Sequence, residues 1–318
     1  MSFLVRTFTR VFWICLAILA VLLTLGAMSG LLADRIWLCE LATHFQLQYV
    51  VLLSTIALLF ALDGRFRWGV YTLAIAIAAF CYHLLPLYVG GPAETDEPRS
   101  LRILSANIAF FNPTHDKLIA LVADEKPDLV MLYEVSPDWV ETLEGLSATF
   151  PHSKIEPHEG HAGIAVFSRL PLDNLQVETI GLDPLPIIMA SVKVNEIDVS
   201  LCGAHPMPPV SWHGTLDRNE QLVDLAEKIV MLPTPLIVVG DLNTSGWNPA
   251  FKRLVYDTGL RDSRQGFGVQ ATWATMLPLL RTPIDHCLVS ARVKVLDRRV
   301  GPDIGSDHYP IIVDLLIK

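Results

Sequence analysis

Asp241 and Asn243 stand two residues apart at the end of the apolar run Ile237-Val238-Val239-Gly240, where a carboxylate and a carboxamide could do chemistry. A short apolar run bounded by Pro235 and Gly240 reads as a fully buried strand. Side chains alternate faces along a strand, so these two point the same way at its mouth. An unpaired buried charge is costly, and its natural partner there is a metal ion or a reacting group. The same residue types also favour turns. Taken alone, the pair does not decide between a site and a turn.

Other polar groups recur in equivalent places. A strand over residues 101–106 ends at Asn107, and one over 128–133 ends at Glu134. A hairpin of 187–194 and 197–204, turning at Asn195-Glu196, ends at His205, and Pro206, Pro208 and Pro209 stiffen the loop that follows. Asp285 enters a strand over 282–290, and Asp307-His308 precede the last strand, 309–317. Each has a bland reading as a turn or solvated residue. Their recurrence at strand ends, where sites gather on rigid scaffolds, points to one site.

The elements that must position these residues are mixed. Helices are expected over 114–125, from Ser136-Pro137, over 215–232, and over 249–258 with Gly259 at its end. Strands and helices do not alternate strictly and hairpins are present, which predicts an α+β fold of two packed sheets covered by helices.

The N-terminal third differs. The chain has 318 residues, 52% of them hydrophobic, with five cysteines and a net charge of -9; its mean hydropathy is +0.42. Apolar runs at 11–33, 47–62 and 69–89 predict about three membrane spans, with 1–90 as the transmembrane region, 91–99 as a linker and 100–318 as the domain that carries the candidate site. Arg6, Arg10, Arg65 and Arg67 place both basic ends in the cytoplasm. Three crossings then predict a multi-pass protein of the inner or plasma membrane with its C-terminal domain in the periplasm or exterior; a middle run that fails to cross reverses this. Beyond Val89 the chain carries 19 Lys and Arg against 30 Asp and Glu. That balance is opposite to a general nucleic-acid-binding surface. Cys202 and Cys287 lie in strand-like stretches and read as buried free thiols, not a disulfide framework.

Six blocks now carry a resemblance. Ser105-Ala106-Asn107, Leu132-Tyr133-Glu134, Gly163-Ile164-Ala165-Val166-Phe167-Ser168-Arg169, Gly240-Asp241-Leu242-Asn243, Ile284-Asp285-His286 and Gly305-Ser306-Asp307-His308 resemble the ordered signature blocks of the endonuclease/exonuclease/phosphatase superfamily. The resemblance covers the C-terminal domain and none of the membrane part. It implies a four-layer αββα sandwich of the deoxyribonuclease I type and divalent-metal phosphoester hydrolysis with Mg²⁺ or Mn²⁺. His205-Pro206-Met207-Pro208-Pro209 with Arg218-Asn219-Glu220-Gln221 is similar to the membrane-tethered bacterial members. Ala109 departs from the superfamily nucleases that carry a carboxylate two residues after the first asparagine.

Such hydrolysis needs negative charge neutralised, a water deprotonated and a leaving oxygen stabilised. Asn107, Glu134 and Asp307 offer hard oxygen ligands for the metal. Asp241 and Asn243 would orient the attacking water or bind a second metal. His308 can act as base with Asp285 fixing its tautomer, and His205 is placed by analogy to donate to the phosphate or leaving group. Whether Asp241 or His308 takes the proton stays open. Arg218 and Arg281 are candidate phosphate contacts or surface ion pairs. The expected partners are a lipid bilayer through the N-terminal helices and a phosphoester substrate, with nucleic acid less favoured. An extracytoplasmic nuclease is the alternative, and retention of every acid, amide and histidine argues against an inactive binding protein. Nothing in the sequence fixes the oligomeric state.

Overall fold

In the computed structural model the chain divides into two units, Met1–Pro86 and Leu87–Lys318. The structure describes residues 3–92 and 96–318, so Ala93, Glu94 and Thr95 of the expected linker lie outside the described residues.

The first unit holds α1 (Phe3–Ala27), α2 (Trp37–Ala42), α3 (Gln46–Leu62) and α4 (Phe66–Ala79). A 3-10 turn, Thr43–Phe45, joins α2 to α3, and a π turn, Phe80–Leu84, extends α4. Three helical stretches result, Arg6–Ala27, Trp37–Leu62 and Phe66–Leu87, of 22, 26 and 22 residues, each long and apolar enough to cross a membrane. At ~1.5 Å per residue each exceeds a hydrocarbon core of ~30 Å. The first stretch ends earlier than residue 33, where Ser29-Gly30, poor helix formers, tighten into a 3-10 turn. The middle one begins earlier than 47. Its polar residues Glu40, Thr43, His44 and Gln46 are buried inside the unit, with His44 Nε2 3.5 Å from Glu40 Oε1. Ile14, Ile18, Leu22 and Leu25 of α1 present an exposed apolar stripe, while Leu23, Leu53, Phe60 and Ala76 form the core between the helices.

In the second unit the strands are β1 (Leu101–Asn107), β2 (Leu129–Tyr133), β3 (His152–Glu156), β4 (Ile164–Ser168), β5 (Leu172–Ile180), β6 (Leu185–Val194), β7 (Ile197–Ala204), β8 (Leu236–Asp241), β9 (Arg261–Asp262), β10 (Asp285–Val289), β11 (Val293–Val300) and β12 (Ile311–Ile317). They form two six-stranded sheets, ordered β11-β12-β1-β2-β4-β3 and β5-β6-β7-β8-β10-β9. The helices are α5 (His115–Glu125), α6 (Val140–Glu144), α7 (Trp212–Val230) and α8 (Pro249–Thr258). Each sheet has a single parallel pair, β1 with β2 and β7 with β8. The crossovers between those partners carry α5 and α7 respectively, as a parallel connection requires. Ser211 caps α7 by accepting from Gly214 N at 3.0 Å, and Gly259, at φ 66°, ends α8.

The largest core lies between the sheets and takes alternate residues from both: Leu101 and Ile103, Met131 and Tyr133, Val199 and Leu201, Ile237 and Val239, Cys287 and Val289. The opposite faces pack under helices, Leu104 and Val130 with Leu118 and Leu121 of α5 on one side, Val238 and Leu288 with Leu225 and Phe251 on the other. This is the α+β sandwich expected from the sequence.

Candidate active site

The alternation that builds the inner core also builds the site. Asn107 continues the face of Leu101 and Ile103, His205 that of Val199 and Leu201, Asp241 that of Ile237 and Val239, and Asp285 that of Cys287 and Val289. Four strands therefore deliver four polar groups to one end of the space between the sheets. Antiparallel pairing of β8 and β10 sets Asp241 directly opposite Asp285. Across such a pair the Cβ atoms are only ~5 Å apart.

A hydrogen-bonded network follows. Asn107 Nδ2 donates to Glu134 Oε1 at 2.9 Å and to Asp241 Oδ2 at 3.1 Å. Asp241 Oδ1 accepts from Asn243 N at 2.9 Å, and its Oδ2 lies 3.4 Å from His205 Nε2 and 3.5 Å from His308 Nε2. His308 Nδ1 is 3.0 Å from Asp285 Oδ2. His205 Nδ1 meets the carbonyl of His161 at 3.0 Å, which fixes it as a donor and turns Nε2 toward Asp241. Ser306 Oγ donates to the Asn107 carbonyl at 2.8 Å and accepts from His308 N at 3.0 Å, tying the last loop to β1.

The backbone is bent to make this possible. Glu134 (φ 60°) and Asn243 (φ 50°) adopt the left-handed conformation that non-glycine residues rarely take. Such strain collects at functional sites and is held by the surrounding structure. Ala109, at φ 53°, donates its amide to Asn107 Oδ1 at 3.0 Å and so orients the carboxamide. Gly305 (φ 85°) must be glycine, because a Cβ would fall 1.8 Å from Thr114 Oγ1.

All these carboxylates and imidazoles except Glu134 and Asp307 are buried. Burial pulls the His308 imidazole down, but the carboxylates of Asp285 and Asp241 outweigh it and push it up to about 10. His205 rises for the same kind of reason, its burial offset by Asp241 and Glu134. Burial raises Asp241, yet His308, His205 and the Asn243 amide hold it well below the usual carboxylate range. Asp285 moves up, through burial and the neighbouring Asp241 charge, against the pull of His308. The resting site is thus an Asp241 carboxylate facing an imidazolium.

Glu134, Asp241, Asp285 and Asp307 bring four acids together, and His308 is raised by Asp307 as well as by the other two aspartates. Among the described residues no Lys or Arg is paired with any of the four. One Asp285 oxygen, Oδ1, is buried without a hydrogen-bond partner. This excess of hard anionic oxygen fits a divalent cation. Asp241, Asp285 and His308 also lie close enough to hold an ion. There, however, both His308 nitrogens already face carboxylates, so that trio acts as an ion-paired array, while Glu134 and Asp307 are only partly buried.

Asn107, Glu134, His205, Asp241, Asn243, Asp285, Asp307 and His308 are all brought to this end of the sandwich. Arg218 is not at its mouth. Its side chain is fully buried, with Nη1 donating to the Asn243 carbonyl at 2.6 Å and Nε to Asn219 Oδ1 at 2.9 Å. The guanidinium holds the strained Asn243 turn in place of the phosphate contact expected. Arg281 lies half-buried over the Tyr309 ring, 4.6 Å from its centroid. Sequence reasoning missed Trp273, whose indole donates to Asp307 Oδ2 at 3.1 Å, and it assigned no role to Ser306 or His161. Ser306 sat inside a quoted block; Trp273 and His161 sit in loops without periodic signal.

The sequence profile of the Endonuclease/Exonuclease/phosphatase family matches residues 104–308, which spans every one of these residues. The chain belongs to the Endonuclease/Exonuclease/phosphatase family. Members of this family are divalent-metal-dependent hydrolases of phosphoester bonds. Solved structures share the fold: a humanized TDP2 of D. rerio (19% identity, 68% of this chain and 98% of that one, TM-score 0.57), the 3' phosphatase NExo from Neisseria bound to a product DNA hairpin (21%, 68% and 99%, 0.56), and the human Nocturnin catalytic domain with a bound sulfate (17%, 73% and 99%, 0.56). No curated protein matches the sequence. In this family member the three helical stretches precede the matched region.

Proposed function

We propose that this protein is a membrane-anchored, Mg²⁺- or Mn²⁺-dependent phosphoesterase. The reading is carried by the Asn107 carboxamide, whose Nδ2 joins Glu134 on one sheet to Asp241 on the other. Asn107, Glu134 and Asp307 would hold the cation, which when bound supplies charge neutralisation to the phosphoryl group. Asp241, anionic and steadied by Asn243 N, orients the attacking water and receives its proton. His308, charged and aligned by Asp285, donates from Nε2 to a phosphoryl oxygen, where charge develops. His205 stands on the other side of Asp241, its Nε2 3.1 Å from Asn243 Nδ2 and 3.4 Å from Asp241 Oδ2, where the protonated ring would donate toward phosphate or the leaving oxygen. Arg281 lies at the rim as a candidate substrate contact, and Arg218 supports the Asn243 turn.

The test is release of p-nitrophenol from bis(p-nitrophenyl) phosphate by the full chain in detergent, with and without EDTA. Metal-dependent release is expected, and its absence with every divalent ion would refute the reading. Plasmid DNA as a second substrate addresses the nuclease alternative, which the DNA-bound NExo relative favours and the excess of acids disfavours.

The three apolar helical stretches support anchoring in the inner or plasma membrane, like the membrane-tethered bacterial members of the family. Arg6, Arg10, Arg65 and Arg67, against a first loop holding Asp34, Arg35 and Glu40, support a cytoplasmic N-terminus and an extracytoplasmic catalytic domain over 100–318. Alkaline phosphatase fused after Gly91 is expected to be active; an inactive fusion would invert the topology.

A further inference from the structure

Two loops beside the site carry apolar residues that the catalytic reading does not use. Residues 275–281 read Thr-Met-Leu-Pro-Leu-Leu-Arg, with Met276 86% and Leu279 84% exposed and Leu277 and Leu280 at least half exposed. Exposed apolar residues scattered singly are ordinary, but a contiguous group marks an interaction surface. The loop is fastened. Thr275 N donates to the Asp307 carbonyl at 2.9 Å, Thr275 Oγ1 to the Ser306 carbonyl at 3.0 Å, and Leu280 N to Leu277 O at 2.9 Å across the 3-10 turn Pro278–Leu280. The second loop follows Asn107. Phe110 N donates to Glu134 Oε2 at 3.3 Å, and Phe110 and Phe111 meet edge-to-face at 5.2 Å with Phe111 63% exposed.

Charge selects what these loops can meet. Neither 108–113 nor 270–280 contains an acid, although 30 acids lie beyond Val89. An anionic phospholipid surface repels the rest of this unit and accepts these two loops. Arg281 stacked on Tyr309 adds a cation and an amphipathic ring at the base of the larger loop, both suited to the level of lipid head groups. The chain itself supplies the bilayer, through three stretches long enough to cross it. Resting on that anchoring reading, we infer that Met276, Leu277, Leu279, Leu280, Phe110 and Phe111 form a bilayer-contact surface that sets the site mouth against the lipid head groups.

The test places the photo-crosslinker p-benzoylphenylalanine at Met276, at Phe111 or at Tyr256, an exposed residue of α8 on the outer helical layer. The full chain is reconstituted into vesicles of phosphatidylethanolamine and phosphatidylglycerol bearing alkyne-tagged acyl chains. Lipid adducts at 276 and 111 are expected at about fivefold or more the yield at 256, as for side chains entering the interface. Equal yields, or a cross-linked dimer of the chain in place of lipid adducts, would overturn the inference. Because adducts need no turnover, loss of metal-dependent hydrolysis with adducts intact counts against the phosphoesterase reading alone. Extraction of the chain by alkaline carbonate counts against the anchor.

Discussion

Asp285 and His286 are neighbours on β10 that face opposite sides of one sheet, and the polar clusters they join have opposite electrostatics. On the inner side, Asp285 and Asp241 surround His308, and among the described residues no arginine or lysine is paired with them. On the outer side, Asp262 accepts from Arg264 Nε at 2.9 Å and Nη2 at 2.5 Å, and Arg298, buried between Ser263, Gln270 and the Asp285 carbonyl, is a second cation nearby. Burial is near total in both places. Yet His308 is pushed up to about 10 by carboxylates, while burial and the Arg264 charge pull His286 down to about 3. Burial disfavours the charged ring in both places, and the neighbours decide whether it is overcome, as at His308, or reinforced, as at His286. The outer cluster matches its one carboxylate with two arginines and holds structure. The inner one keeps an anionic surplus that a cation and a phosphoester can complete.

The largest effect is expected where that surplus meets the proton donor. His308→Ala should lower bis(p-nitrophenyl) phosphate turnover about 10³-fold, within the range for a positioned acid or base, and should also lower the melting temperature, because it leaves buried Asp241 and Asp285 without the imidazolium between them. A loss under tenfold would mean that Asp285 and His308 form no catalytic pair. In the outer cluster the effect should fall on stability alone. Arg264→Met leaves Asp262 buried without its bidentate partner, and chemical unfolding should register a loss of about 3–5 kcal/mol. An unchanged midpoint would show that Arg298 suffices alone.

These clusters were unequally legible in sequence. The inner residues stand at the ends of central strands, β1, β7, β8 and β10, which are buried on both faces over most of their length, so that mostly apolar stretches abut a polar group. The strands missed were β3, β5, β9 and β11, and these are the four sheet edges. An edge strand such as β5 buries only its last residue, Ile180, and gives no apolar run to read. Arg264 and Arg298 were passed over for a related reason. A buried arginine looks like a surface one until its partners, two residues away in sequence for Arg264 and 13 to 35 for Arg298, are placed beside it. Arg218 shows the same limit, since one residue type serves a phosphate or a backbone carbonyl equally well.

Metal affinity sharpens the inner side of the contrast by a smaller amount. Glu134→Gln keeps an oxygen for the cation and a hydrogen-bonding group for Asn107 but removes one charge. The Mg²⁺ concentration for half-maximal activity should rise about 10- to 100-fold, the usual scale for perturbing a metal's ligand shell. Titration of activity with Mg²⁺ after EDTA treatment measures it. An unchanged midpoint would move the cation to the Asp241, Asp285 and His308 group.

The smallest expected change tests the outer histidine itself. His286 Nε2 lies 2.8 Å from the Thr244 carbonyl and must donate to it, so the neutral ring carries its proton there. His286→Phe should therefore cost about 1 kcal/mol at neutral pH, the net worth of one hydrogen bond. Its signature is in the pH dependence. The unfolded histidine binds a proton as pH falls through ~6.5, and the folded one only near 3. Wild-type stability therefore declines as pH drops across that window, by at most ~1.4 kcal/mol per pH unit from this residue. His308 has the opposite sign: its contribution is complete below ~6.5 and is lost as pH rises through about 10, and the substitution leaves it in place. Urea unfolding of the EDTA-treated chain at pH 7 and pH 5 should show the gap between His286→Phe and wild type closing or reversing at the lower pH. A gap that stays constant would mean that His286 takes a proton in the folded chain, and that the two faces of β10 do not differ in charge balance as their geometry requires.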